Sequence, residues 1–271
     1  MGNLCCRLLA TTVLFLVWGV GGLPATAETS TSKINIGGID QPGAVIKGVI
    51  KFGSKVVKRK PIRMDADRNC AAVHSEKVLD QVRIFGKNGD HNVLQNVFVW
   101  VSKGLKSKKY ASPKAAAVID QTGCLYEPHV SGVMIGQKLH ILNSDNTQHN
   151  VKAAVGRKTL FNQASGEGST IEQVFKKSQD IVLKCDVHSW MSAHVRVMDH
   201  PYFAVTQDDG TFEIRGLPPG DYEISTWHEY RRYKPDQSPV SVTIGMGETK
   251  EVMVTYKSKS KKKKKKKKKT Q

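Results

Sequence analysis

The hydrophobic and polar positions follow the two-residue period of β-strands over most of the chain. In residues 45–52 this alternation places Ile46, Ile50 and Phe52 on one face. Residues 96–101 instead form a continuous β-branched and aromatic run, which is typical of a strand buried on both faces. No segment of about 12 residues or more has a convincing helical period. The pattern predicts an all-β protein of the sandwich or barrel type.

The strand pattern divides the chain near residue 200. Before that point, shorter strands are predicted around residues 139–143, 181–184 and 195–197. After it, Asp-Asp-Gly and Leu-Pro-Pro-Gly turns separate a compact meander of strands. The predicted organisation is a signal peptide (1–27), a linker (28–43), a first β-domain (44–200), a small second β-domain (201–256) and a lysine-rich tail (257–271).

The charge of the chain lies mostly in its tail. The 271 residues carry a formal net charge of +18, a value that by itself suggests nucleic-acid binding. The run of Lys257, Lys259 and 261–269 holds 11 lysines and no acid, which leaves only +7 on the other residues. Such a run cannot fold alone. It is either a solvated tail or an anchor to anionic lipid, cell-wall polymer or an acidic redox partner; nucleic acid is not the expected partner.

The N-terminus has the features of a secretory signal peptide. Arg7 precedes an uncharged stretch at 8–27 whose centre is apolar, and a small-residue cleavage pattern ends at Ala27. The alternative is an uncleaved membrane anchor, for which the glycines at 19, 21 and 22 and Pro24 make the stretch poor. We expect cleavage after Ala27 and a periplasmic or secreted protein.

The cysteine count fits an oxidising compartment. Cys5 and Cys6 would leave with the signal peptide, and Cys70, Cys124 and Cys185 would remain. An odd cysteine in a secreted protein needs a chemical reason, and Cys185 has one in its neighbours. The prediction is a Cys70–Cys124 disulfide, with two free buried thiols as the alternative.

Metal-binding side chains concentrate in two short segments. The loop after residue 184 has the spacing Cys185-x2-His188-x2-Met191, and His149 follows the strand predicted at 139–143. One thiolate, two imidazoles and one thioether suit a single type 1 copper ion, held by a His2Cys plane with a weak axial Met. Zinc is the rival metal, but zinc rarely takes a thioether.

At these motifs the sequence resembles the cupredoxin family. The loop CDVHSWM matches the spacing of amicyanin-type cupredoxins, and NSDNTQHN matches their upstream ligand segment. The chain looks like bacterial secreted proteins called methylamine utilisation proteins, and DGTFEIRGLPPGDYEISTW resembles a carboxypeptidase-regulatory-like (prealbumin-like) sandwich. The resemblance implies a Greek-key sandwich and one-electron transfer. It implies that His149, Cys185, His188 and Met191 are the ligands. Asn150 would hydrogen-bond toward the Cys185 loop and tune the redox potential, and His188 would be the edge where electrons enter.

Two further histidines are candidates for an accessory site. His129 is either a core or loop residue or part of such a site. If Val195 and Val197 face inward, His194 faces the other side of its strand, and it would replace Met191 if Met191 were not the axial ligand. No catalytic constellation stands out, so we expect an electron carrier with a redox partner protein and no enzyme activity. The alternative is a non-redox copper-binding or surface- and glycan-binding scaffold.

Overall fold

The computed structural model describes residues 43–106 and 109–259 and confirms the all-β prediction. The strands are β1 (Ala44–Phe52), β2 (Phe85–Asn88), β3 (His91–Leu94), β4 (Phe98–Lys103), β5 (Ala117–Thr122), β6 (Leu125–Glu127), β7 (Val130–Met134), β8 (Lys138–Asn143), β9 (His149–Val155), β10 (Lys158–Ser165), β11 (Thr170–Val174), β12 (Gln179–Lys184), β13 (Ser192–Met198), β14 (Phe203–Val205), β15 (Thr211–Leu217), β16 (Gly220–Trp227), β17 (Tyr233–Pro235), β18 (Val240–Ile244) and β19 (Thr249–Ser258). The one helix in these ranges is α1 (Arg68–Ala72). It is far too short to cross a membrane. The predicted signal peptide, all of the predicted linker but Gly43, and the tail from residue 260 lie outside the described residues.

The strands between residues 117 and 198 build one β-sandwich, here called the central sandwich. One sheet has the order β10-β9-β12-β13-β7, and the other has the order β11-β8-β5-β6. Along β8, Leu139 and Ile141 are buried while Lys138 is exposed, so the alternation of the sequence sets which face packs inward. Buried residues from both sheets form a single core that also contains Cys185.

The two ends of the described chain build a second sandwich together, here called the composite sandwich (residues 44–52, 85–103 and 203–258). One of its sheets has the order β17-β19-β1-β3-β2, with β15 also paired to β1, and the other has the order β14-β4-β16-β18. β1 lies parallel to β19, so that Val45 pairs with Thr249 and Phe52 with Tyr256. The predicted boundary between 44–200 and 201–256 is therefore wrong, because an alternating pattern shows which face of a strand is buried but not its partner strand.

A small aromatic cluster joins the two sandwiches. The rings of Phe98 and Phe203, both in the composite sandwich, stack with their centroids 5.4 Å apart. They pack on β7 of the central sandwich at Gly132, where an added Cβ would lie 2.4 Å from the ring of Phe203. Glycine is required here because the aromatic ring approaches the backbone too closely for any side chain.

The predicted start of the lysine tail is also wrong by a few residues. β19 continues to Ser258, so Lys257 belongs to a strand that pairs with β17. The Lys259 N–H then donates to the carbonyl of Arg232 at 2.9 Å. The strand conformation continues from the apolar positions of residues 252–256 into the first charged residues of the tail. Composition alone does not reveal where the strand ends.

Candidate metal centre

Three of the predicted ligands meet at one end of the central sandwich. His149 begins β9, while Cys185 and His188 follow directly after β12. β9 and β12 are antiparallel neighbours, so the start of one strand lies beside the end of the other. The nearest ligand atoms of the three side chains all lie within 4.8 Å of one another, and all three residues are buried. The spacing in the sequence is thus realised as one compact cluster.

Two carboxylates orient the imidazoles of this cluster. The Nε2 atom of His149 lies 2.9 Å from the Asp145 carboxylate, and Nε2 of His188 lies 2.9 Å from the Asp67 carboxylate. Because an ionised carboxylate only accepts hydrogen bonds, each Nε2 carries a hydrogen, so Nδ1 is the nitrogen that each ring can offer to a metal ion. The two Nδ1 atoms face each other at 2.8 Å. This is the arrangement in which a carboxylate fixes a histidine for a metal ion.

The surroundings of Cys185 favour the thiolate form of its side chain. Burial raises the pKa of the Cys185 thiol, but a hydrogen bond from His149 and backbone N–H groups lower it further, and the net shift is downward. The N–H groups of His188 and Asn150 point at Sγ from 3.4 and 3.5 Å. For His149 burial acts in the opposite direction and lowers the pKa. Its hydrogen bonds to Asp145 and Cys185 outweigh burial and raise the pKa to about 9. In the metal-free protein the raised pKa favours a hydrogen on Nδ1 of His149, which a bound metal ion would displace.

Asn150 and Met191 shape the loop that carries Cys185. The Asn150 side-chain oxygen accepts from the N–H groups of Asp186 at 2.6 Å and Val187 at 3.3 Å, which fits the role implied by the cupredoxin resemblance. The Met191 N–H donates to the carbonyl of His188 at 2.9 Å, closing the loop. Met191 is buried in the same core as Cys185, and its part as a copper ligand stays a prediction.

His188 does not form an exposed edge, contrary to expectation. Its side chain is only 2% exposed, because residues 67–72 and Trp190 cover it. The predicted Cys70–Cys124 disulfide is confirmed, and Cys70 Sγ lies 3.6 Å from Nε2 of His188. The indole N–H of Trp190 donates to the Cys124 carbonyl at 3.0 Å, which holds Trp190 against the disulfide beside His188. Asp67 caps α1 and contacts His188 from 121 residues away, so the sequence did not single it out.

The accessory candidates form a separate cluster. Val195 and Val197 face the core, so His194 points to the other side of β13 and cannot substitute for Met191. His194 and His129 both contact Glu229, whose pairing with histidine the sequence did not reveal. Burial raises the pKa of Glu229, but hydrogen bonds with the two histidines outweigh it and hold the pKa well below its usual range.

No protein-family model and no curated protein matches this sequence. Solved structures give partial likenesses. A copper-containing nitrite reductase from Thermus scotoductus is 18% identical over 36% of this chain and 25% of that one, with a TM-score of 0.30. A purple cupredoxin from Nitrosopumilus maritimus is 23% identical over 30% of this chain and 99% of that one, with a TM-score of 0.28. A reduced amicyanin variant is 19% identical over 36% of this chain and all of that one, with a TM-score of 0.29. The likeness spans about a quarter of the nitrite reductase, and none of the three carries the functional conclusion.

Proposed function

We propose that this chain is a mononuclear type 1 copper protein that carries single electrons outside the cytoplasm. One observation supports the proposal above all others. The Nδ1 atoms of His149 and His188 face each other beside the Cys185 sulfur, while carboxylates hold both Nε2 atoms. Bound copper would supply a one-electron couple at this position.

The donor set fits copper in both of its oxidation states. Thiolate favours Cu(I), and imidazole binds both Cu(I) and Cu(II). Zinc would also accept the cysteine and two histidines, and the predicted thioether ligand Met191 favours copper over it. Asp67 and Asp145 hold the rings in fixed orientations, so the ligands need little rearrangement when an electron arrives or leaves.

The same burial suggests what the protein does not do. Cys185, His149 and His188 are 0–3% exposed, so a substrate has little room to reach the ion. We therefore propose a carrier without enzymatic turnover, whose partner is a redox protein. The Cys70–Cys124 disulfide supports a location outside the cytoplasm. The lysine tail is proposed to contact an anionic surface or an acidic partner.

A second candidate function is copper storage or delivery. It is favoured by the covering of His188, because a closed histidine edge hinders a redox partner but protects a stored ion. The sequence also allows a non-redox copper-binding scaffold of this kind.

The decisive experiment is the visible spectrum of the purified chain after addition of Cu(II). An intense thiolate-to-copper band is expected, and Cys185→Ser should abolish it. His140→Ala is the matched control, since the His140 side chain pairs with Glu172 within the sheet that holds none of the candidate ligands, and it should leave the band unchanged. If no band forms and Zn(II) binds tightly instead, the proposal is wrong.

A second measurement separates the two functions. A carrier should pass through repeated cycles of reduction by ascorbate and oxidation by ferricyanide with its copper retained. A storage or delivery protein should surrender Cu(I) to a competing chelator once it is reduced. Release of most of the copper in the first cycle would refute the carrier role.

A further inference from the structure

A second set of metal-ligating side chains lies where the two sandwiches meet. His129 precedes β7 and His194 lies in β13, both in the central sandwich, while Glu229 follows β16 of the composite sandwich. Their nearest ligand atoms lie within 4.8 Å of one another. One oxygen of Glu229 contacts Nε2 of His129, and the other lies 3.2 Å from Nε2 of His194.

The hydrogen positions on His129 are set by its other nitrogen. Nδ1 lies 2.9 Å from the carbonyl oxygen of Ser192, which can only accept, so Nδ1 carries a hydrogen. In the neutral ring, Nε2 is then a lone pair that faces the Glu229 carboxylate. Two acceptors in contact need a cation between them, either an additional proton on the ring or a metal ion.

We propose that His129, His194 and Glu229 form a second site, for a divalent first-row transition-metal ion. Two imidazoles and one carboxylate are a common ligand set for zinc and non-haem iron, with further positions left for water. The site is independent of the copper proposal, because it shares no ligand with the Cys185 cluster. An ion bound here would tie the composite sandwich to the central one through Glu229.

The surroundings hold the three ligands in place. The Ser192 carbonyl orients His129 in the way that an outer hydrogen bond fixes a metal-binding histidine. His194 lies between β7 and β12, and its ring packs 5.2 Å from that of Trp227. The side chains are 3%, 18% and 11% exposed for His129, His194 and Glu229, so the cluster is enclosed but open to solvent at the side of His194.

The test is zinc binding by the full chain in a Cys185→Ser background, which removes the thiolate of the first cluster. Equilibrium dialysis with elemental analysis gives the number and affinity of bound Zn²⁺ ions. Glu229→Gln and His194→Asn should each weaken one Zn²⁺ site by about 100-fold or more. Glu172→Gln is the matched control, since it alters an exposed His–Glu pair between His140 and Glu172 at 3.1 Å and should change nothing.

Thermal unfolding gives a readout that guards against simple misfolding. Zn²⁺ should raise the unfolding midpoint of the Cys185→Ser and Glu172→Gln chains, because a ligand that binds only the folded state stabilises it. Zn²⁺ should not change the unfolding midpoints of the Glu229→Gln and His194→Asn chains, provided that near-ultraviolet dichroism shows them folded without zinc. If one variant fails to fold, the other decides. Equal zinc affinity in all four chains would overturn the proposal.

Discussion

Asp67 and His188 are in contact at 2.9 Å although 121 residues separate them in the chain. Asp67 also caps the short helix α1, where its other oxygen accepts from the N–H groups of Asn69 and Cys70. One carboxylate thus joins the segment that covers the candidate metal centre to a candidate ligand inside it.

We expect this contact to make stability depend on pH. The hydrogen bond with His188 lowers the pKa of Asp67 from an ordinary value of 3.8 to about 2. A carboxylate with a lowered pKa stabilises the fold above its unfolded-state pKa. This stabilisation is lost as the pH falls toward the folded-state pKa. The contribution of Asp67 to the unfolding free energy of the metal-free protein should therefore fall by about 1 kcal/mol between pH 5 and pH 3.

The check compares the wild-type chain with Asp67→Asn in urea unfolding at both pH values. Asparagine does not titrate, so the variant should be less stable at pH 5 and the difference should shrink at pH 3. A difference in unfolding free energy that is the same at pH 5 and pH 3 contradicts the assignment.

The Cys70–Cys124 disulfide should contribute strongly to stability. It closes a loop of 55 residues, for which the chain-entropy model gives roughly 4 kcal/mol. Replacing both cysteines by serine should lower the urea midpoint accordingly. It should also speed the exchange of the His188 ring hydrogen, because the cover over this residue loosens. An unchanged exchange rate would show that Asp67 and Trp190 hold the cover without the disulfide.

Asn150→Ala should loosen the loop that presents Cys185. The substitution removes the oxygen that accepts from Asp186 and Val187, and we expect copper affinity to fall about 10- to 100-fold. Asn162→Ala is the control, since Asn162 touches the Asn150 side chain from outside the loop. Competition titration with a copper chelator measures the copper affinity of both variants. Equal losses of affinity would assign the effect to the Asn150–Asn162 side-chain contact and not to the loop.

Met191→Leu tests the predicted axial ligand. Leucine keeps the buried volume at a cost below about 1.5 kcal/mol, so the chain should fold normally. Losing a weak donor disfavours Cu(II) more than Cu(I), so the reduction potential should rise while the visible band persists. His194→Asn should leave the potential unchanged, as His194 faces Glu229. The reverse pattern in a spectroelectrochemical titration would rule out Met191.

Gly132→Ala should weaken the packing between the two sandwiches. The added methyl group would overlap the ring of Phe203 and crowd that of Phe98, which we expect to cost about 1–3 kcal/mol of unfolding free energy. At Gly166 the same change meets open space and should alter stability by less than about 0.5 kcal/mol. Comparable urea midpoints for the two variants would mean that the aromatic cluster adapts.

Much of the local structure could be predicted from the sequence. The alternation at Ile46, Ile50 and Phe52 identified a buried strand face, because side-chain direction in a strand repeats every two residues. The spacing of Cys185 and His188 within one loop similarly brought both residues to the same point. The disulfide followed from the number of cysteines left after the predicted signal peptide.

The missed features all depend on contacts between distant parts of the chain. The pairing of β1 with β19, the contact of Asp67 with His188 and that of Glu229 with His129 each join residues at least 100 positions apart. Which strands become neighbours is decided by packing of whole sheets, and no local pattern records it. A single sequence therefore gives the candidate ligands of the centre but not the residues that cover and orient them.

The parallel pairing of β1 with β19 has a consequence for how the protein is made. The first described strand completes its sheet only when the strand ending at Ser258 is available, nearly the whole chain later. The central sandwich has all its strands by Met198, so it can form while β1 still lacks its partner. Assembly around the candidate metal centre can thus precede closure of the composite sandwich. A chain that lost β19 would leave one side of β1 as an open sheet edge.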